Sequence, residues 1–121
     1  MPKTVLVIDD DVSLQMVLEI ALRQAGFQVE LASNGEEGLE RLAAIQPNVV
    51  ISDVMMPQMD GVQFFNEIRE RLQYEGIPII IMTALTRKAW FADLEAEGAV
   101  IVNKPFDVEQ LVSLVEMYVA D

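Results

Sequence analysis

The sequence predicts a doubly wound α/β domain built on a parallel sheet. Three observations carry that prediction. Short apolar runs recur along the chain, segments of helical period lie between them, and several runs are continuous rather than alternating: "VLVI", "VVI", "IPIIIM" and "AVIV". Continuous Val/Ile runs suit strands buried on both faces, and repeated strand–helix alternation puts helices on both sides of a parallel sheet.

In chain order, Thr4–Asp9 reads as the first strand. Ser13–Ala25 follows with Leu14, Val17, Leu18, Ala21 and Leu22 as one apolar stripe; Asp11 suits its N-cap and Gly26 its stop. Gln28–Ala32 is the second strand. Asn34 with Glu37 resembles a capping box ahead of "GEEGLERLAAI". Asn48–Asp53 is the third strand, and Gly61–Gln73, opened by Gly61, carries Phe64, Phe65, Ile68 and Leu72 on one side of a helix. Ile77–Thr83 is the fourth strand, Thr86–Glu97 a helix, and Ala99–Asn103 the fifth strand. Asp107–Ala120 closes the set, with Asp107 and Gln110 in capping-box positions. Trp90 and Phe91 are adjacent on a helix and point about 100° apart, so one reaches the core while the other is partly exposed. Met55, Met56 and Met59 suit gap-filling contacts in a loop.

At 121 residues the chain reads as a single domain over 1–121, long enough to bury roughly two thirds of its unfolded surface without staples. Acids outnumber bases 20 to 8, a formal charge of −12. Such a surface repels nucleic acid and anionic membranes and favours a basic or neutral protein partner. With no Cys and no His, thiolate and imidazole chemistry, disulfides and most zinc sites are excluded. No apolar run approaches the ~20 residues of a membrane span, and "MPKTVLVIDDD" lacks signal-peptide architecture. A soluble cytoplasmic domain is expected.

Doubly wound sheets place their sites outside the carboxyl ends of the strands. The strand ends carry Asp9 and Asp10 after the first, Asp53 after the third, Thr83 after the fourth and Lys104 after the fifth. Each has an ordinary reading on its own. Asp9 and Asp10 suit a solvated turn and Lys104 a surface lysine; Asp53, ending a buried strand, needs a partner. Together they put three carboxylates, a hydroxyl and an ammonium in one pocket. Three carboxylates there require protonation or a cation, and oxygen ligands without His or Cys select Mg²⁺, Mn²⁺ or Ca²⁺. A carboxylate beside such a cation suits nucleophilic attack on phosphorus, with Lys104 and the Thr83 hydroxyl placed for phosphoryl oxygens.

The pieces "IDDD" (8–11), "DVMMPQMDG" (53–61), "MTA" (82–84) and "KPF" (104–106), in this order and spacing, resemble the receiver domain of two-component response regulators over essentially the whole chain. The resemblance implies a flavodoxin-like fold of five parallel strands in order 2-1-3-4-5 with five helices. It implies that Asp53 takes a phosphoryl group, as an aspartyl phosphate, from a histidine kinase or histidine phosphotransfer protein of a two-component system or phosphorelay. It implies Mg²⁺ or Mn²⁺ held by Asp10, Asp53 and the Met55 carbonyl, with Asp9 holding a metal-bound water. Thr83 and Lys104 would sense the phosphoryl group, and Pro105 would follow a cis peptide. The domain would not be an enzyme beyond slow self-dephosphorylation. Its output would be a changed affinity for a downstream protein target or an attached output domain, without direct contact to nucleic acid or membrane. By the same analogy the first helix, near Leu14, Gln15 and Leu18, is the kinase-docking face.

Two departures from the family's pattern stand out. Ile101 occupies the position, three residues before Lys104, where the family carries Tyr or Phe, and "GAVIVNK" is one residue shorter than the usual stretch. A readout in which a ring swings inward is therefore not expected, nor is dimerisation through the acidic motif found near there in many DNA-binding regulators. The alternative from another class is a haloacid-dehalogenase-like phosphatase with Asp9 as nucleophile and Asp11 as general acid. It leaves "DVMMPQMDG" without a role and lacks an acidic pair after Lys104. A flavin-binding domain fails because three anions follow the first strand where a phosphate loop belongs.

Overall fold

In a computed structural model of the chain, which describes residues 3–53, 77–83, 92, 95–96, 98–104 and 106–119, all five expected strands pair in one parallel sheet. They are β1 (Thr4–Ile8), β2 (Gln28–Ala32), β3 (Val49–Asp53), β4 (Ile79–Thr83) and β5 (Ala99–Asn103), in spatial order β2-β1-β3-β4-β5. This is the expected order. Three helices lie among the described residues: α1 (Val12–Gln24), α2 (Gly35–Ala44) and α3 (Val108–Val119). Ala92, Glu95 and Ala96 are also helical, inside the segment read as a helix before β5. The expected helix over 61–73 and the placements of Gly61, Trp90, Phe91 and the loop methionines lie outside the described residues. No helix among those described is long and apolar enough to cross a membrane.

The continuous apolar runs are explained by two cores, one on each face of the sheet. Val5, Val7, Val49, Ile51, Ile80 and Met82 point to the face covered by α1 (Leu18, Leu22) and α3 (Leu111, Val112, Val115). Leu6, Ile8, Val50, Ile79 and Ile81 point to the other, against Leu42 and the half-buried Leu39 of α2. Successive strand residues thus enter opposite cores, and every residue of β3 and β4 is buried. At about 1.5–3 kcal/mol for each large apolar side chain removed from water, these central strands anchor the fold.

Helix ends follow the sequence signals closely. The Asp11 carboxylate accepts from Leu14 N–H at 3.2 Å, so Asp11 is the cap of α1. Gly26, at φ 97°, ends it: Gly26 N–H donates to the Arg23 carbonyl and Phe27 N–H to that of Leu22, a Schellman pair that needs a left-handed residue. Asn34 caps α2 through Glu37 N–H at 2.9 Å, while the Glu37 carboxylate accepts from Ser33 N–H, one residue before the position a capping box uses. Asp107 caps α3, accepting from Glu109 N–H at 2.8 Å.

The phase of α1 differs from the sequence expectation. Leu18 and Leu22 are fully buried and Leu14 and Ala21 half-buried, but Val17 is 46% exposed and Gln15 is buried in its place. Val12, Met16 and Ile20, spaced four residues apart, are exposed along the outer side. Gln15 and Leu18 therefore cannot form a docking face, because the sheet covers them; the accessible apolar residues of α1 are Val12, Met16, Val17 and Ile20.

Neighbouring residues of α1 should consequently respond very differently to truncation. Leu18→Ala is expected to lower the unfolding free energy by about 2–5 kcal/mol, and Val17→Ala by no more than about 0.5 kcal/mol, in urea titrations with unchanged slope. Equal losses would restore the apolar stripe first read from the sequence.

Candidate functional site

The sheet brings the expected residues together at its carboxyl edge. β1 lies between β2 and β3, so the crossovers that leave β1 and enter β3 pass on opposite faces, and a crevice opens where the winding reverses. Asp9 follows β1 and Asp53 ends β3; the pairing of Ile8 with Ser52 sets them side by side. One carboxylate oxygen from each of Asp9, Asp10 and Asp53 lies within 4.8 Å of the other two. Asp10 is exposed, Asp9 fully buried and Asp53 8% exposed.

Lys104 closes the cluster from the far side of the sheet. β5 pairs with β4, Thr83 opposite Asn103, and the Lys104 N–H donates to the Thr83 carbonyl at 2.6 Å as the chain leaves β5. From there the ammonium reaches back across β4. Its Nζ lies 3.2 Å from Asp9 Oδ2 and 3.3 Å from Asp53 Oδ2, donating to both. Thr83 is buried at the end of β4, one strand from Asp53. Met55 and Pro105 lie outside the described residues. Ile101 is half-buried on β5, packed against the core on the α2 side and paired with Ile81, where its apolar side chain belongs.

Burial and charge set the electrostatics. Burial pushes the Asp9 carboxyl above its ordinary value; the Asp11 N–H and Lys104 oppose that, while Asp53 adds to it. For Lys104, burial lowers the ammonium, but the Asp53 and Asp9 carboxylates outweigh burial and hold it above its ordinary value. Among the described residues, one ammonium thus faces three carboxylates. The donor set is oxygen only and largely anionic. It fits a hard divalent cation, and the chain has no Cys or His to offer zinc or copper.

Gln15 belongs to this site and was missed in the sequence, where it reads as a surface residue of α1. Its amide donates to the carbonyls of Asp9 and Ala32. The signal is a polar residue one turn into the helix that follows the acidic strand end. Its meaning emerges only when the helix phase is known.

The comparisons with known proteins agree with this geometry. Residues 5–116 match the family model described as response regulator receiver domain. The DNA-binding transcriptional regulator NtrC of Escherichia coli K12 is 41% identical over 111 residues, which are 91% of this chain but 23% of that protein, so the chain spans only part of the relative's length. Among solved structures, the chemotaxis protein CheY4 of Vibrio cholerae aligns with a TM-score of 0.87 at 33% identity, covering 98% of this chain and 99% of that one. The response regulator TrrA of Thermotoga maritima, in complex with Mg²⁺–BeF, aligns with a TM-score of 0.81 at 30% identity, covering 96% and 98%.

The raised Asp9 carboxyl carries a stability consequence. The folded state holds the Asp9 proton more tightly than the unfolded state, so its ionisation opposes folding at neutral pH. That penalty fades as pH falls through the folded value toward the unfolded one near ~3.9. Asp9→Asn keeps an acceptor for the Asp11 N–H and removes the charge. Lys104→Met is placed in both proteins, so that no ammonium is set against the new amide. With divalent ions chelated, Asp9→Asn should then melt above its Asp9 parent at pH 7.5. The gap should close as the pH falls toward the unfolded carboxyl value near ~3.9. A variant less stable than that parent at pH 7.5 would contradict the assignment.

Proposed function

The chain belongs to the response regulator receiver domain family, and from that premise we propose that residues 1–121 form a single receiver domain whose Asp53 accepts a phosphoryl group from a histidine of a partner kinase or phosphotransfer protein. The observation that carries the proposal is the convergence of Asp9, Asp10, Asp53 and Lys104 Nζ at the carboxyl edge of the sheet. Residues 1–121 contain no histidine, so the donor imidazole comes from outside them.

A lone pair on an Asp53 oxygen forms the O–P bond while the P–N bond to the donor breaks, its electrons staying on the imidazole nitrogen. Asp10 and Asp53 would hold the cation, with Asp9 acting through water; the Met55 carbonyl, outside the described residues, would be the further ligand that the family resemblance implies. Mg²⁺, when bound, neutralises the carboxylates and the phosphoryl oxygens together; Mn²⁺ suits the same ligands. The likeness to TrrA, solved with Mg²⁺–BeF, supports that choice. Lys104, already shared between two carboxylates, pairs with a phosphoryl oxygen, and the Thr83 hydroxyl donates to another.

The output is a change of affinity for a protein target or an attached output domain, in the cytoplasm, without turnover of an external substrate beyond slow loss of the domain's own phosphoryl group. With Ile101 on β5, that change is read without a swinging ring. The exposed residues Val12, Met16, Val17 and Ile20 of α1 are the docking face for the donor. NtrC is named a DNA-binding regulator; at a charge of −12, any such contact here falls to a segment beyond these residues. Asp9 as the nucleophile of a phosphatase finds no support, since the family match and the shared geometry both centre on the receiver arrangement.

Incubation with acetyl phosphate and Mg²⁺ should add one hydroxylamine-labile phosphoryl group by intact mass. Asp53→Asn or chelation of the metal should abolish it. Undiminished labelling of Asp53→Asn would overturn the proposal.

A further inference from the structure

Every polar atom of Asp9 is engaged. Its N–H donates to the Ala32 carbonyl at 3.0 Å, Oδ1 accepts from Asp11 N–H at 2.8 Å, and Oδ2 accepts from Lys104 Nζ at 3.2 Å. Its carbonyl accepts from Gln15 Nε2, and the same amide donates to the Ala32 carbonyl at 3.0 Å, with Ser33 Oγ at the limit of reach at 3.5 Å. An amide NH₂ has two hydrogens, and the two carbonyls account for both. The result is a closed ring: Asp9 N–H to Ala32 carbonyl, Ala32 carbonyl to Gln15, Gln15 back to the Asp9 carbonyl. It ties the ends of β1 and β2 together through a side chain that is only 7% exposed.

The carbonyl that Gln15 holds is that of the Asp9–Asp10 peptide. Rotating this peptide would swing Asp10, whose carboxylate is exposed and makes no hydrogen bond among the described residues. Nothing else described restrains that carboxylate, yet one of its oxygens sits within 4.8 Å of those of Asp9 and Asp53. We infer that Gln15 is a positioning residue for the cation: by fixing the Asp9–Asp10 peptide it aims both carboxylates at the point where Asp53 meets them, and so sets the affinity for a divalent ion. The inference rests on the proposed reading of the cluster as a cation site. A purely structural Gln15 would satisfy the same two carbonyls and affect stability alone.

The test is calorimetric titration of the full chain with Mg²⁺ at low temperature, for wild type, Gln15→Met and Gln15→Asn. Met keeps the bulk and removes both donors; Asn keeps the amide but is one methylene too short to span both carbonyls. Both variants should bind Mg²⁺ roughly tenfold more weakly than wild type while folded, the scale seen when groups behind metal ligands are removed. Wild-type affinity in folded Gln15→Met would overturn the inference and leave the cation site standing. Absence of binding by wild type would overturn both. Should Gln15→Met fail to fold, Gln15→Asn in a stabilising osmolyte decides by the same criterion.

Discussion

The ammonium of Lys104 shared between Asp9 and Asp53 is the interaction on which the site depends. It spans from the end of β5, over β4, to the ends of β3 and β1, so it forms only if these four strands pair in the observed order. The two carboxylates it meets are largely removed from water and stand beside a third. Among the described residues, one positive charge does not balance three negative ones. The shortfall is built into the sheet edge, because Asp9 and Asp53 occupy equivalent positions on adjacent parallel strands and cannot move apart without breaking the β1–β3 ladder.

Such an arrangement is tolerable because the rest of the domain is strongly apolar. Two cores sandwich the sheet, and the central strands have no exposed residue among the five that each contributes. The fold therefore offsets a strained charge cluster at one end with hydrophobic burial along the strands. On the proposed function this excess of negative charge is the working feature. A cation at a hundred times its dissociation constant stabilises the folded state by about 2.7 kcal/mol, so occupancy and stability are linked. On the proposed function the Lys104 ammonium, which donates to both Asp9 and Asp53, exchanges a carboxylate partner for a phosphoryl oxygen without rebuilding the core.

Much of this was legible in the residues. "VVISD" shows both the buried strand and the carboxylate at its end, and the β-strands fall within two residues of where the apolar runs place them. Asp11, third of the acidic run, reads as a cap and is one, because Asp at that spacing before an apolar helix has a local partner in the Leu14 N–H. The strand order came with the family resemblance and not from pattern. The phase of α1 is not legible in the pattern, because Val17 lengthens an apolar stripe whose inner face runs through Leu14, Gln15, Leu18 and Leu22. Helical periodicity scores apolar residues, and a glutamine whose amide meets two strand-end carbonyls counts against the face it belongs to. Packing against the sheet, not the pattern, decided that rotation. Ile101 is the residue whose consequence extends furthest: half-buried against the core, it offers no ring to swing, so on the proposed function the phosphoryl group is sensed through Thr83 and Lys104.

The central claim is that, of the three clustered carboxylates, Asp53 alone is the acceptor. The most direct measurement is reduction of the acetyl-phosphate-treated protein with borohydride, which converts an acyl phosphate to an alcohol, followed by peptide mass spectrometry. Homoserine at position 53 and unmodified Asp9 and Asp10 is the predicted result. Homoserine at position 9 or 10 would contradict the account and return the acidic run after β1 to the role of nucleophile.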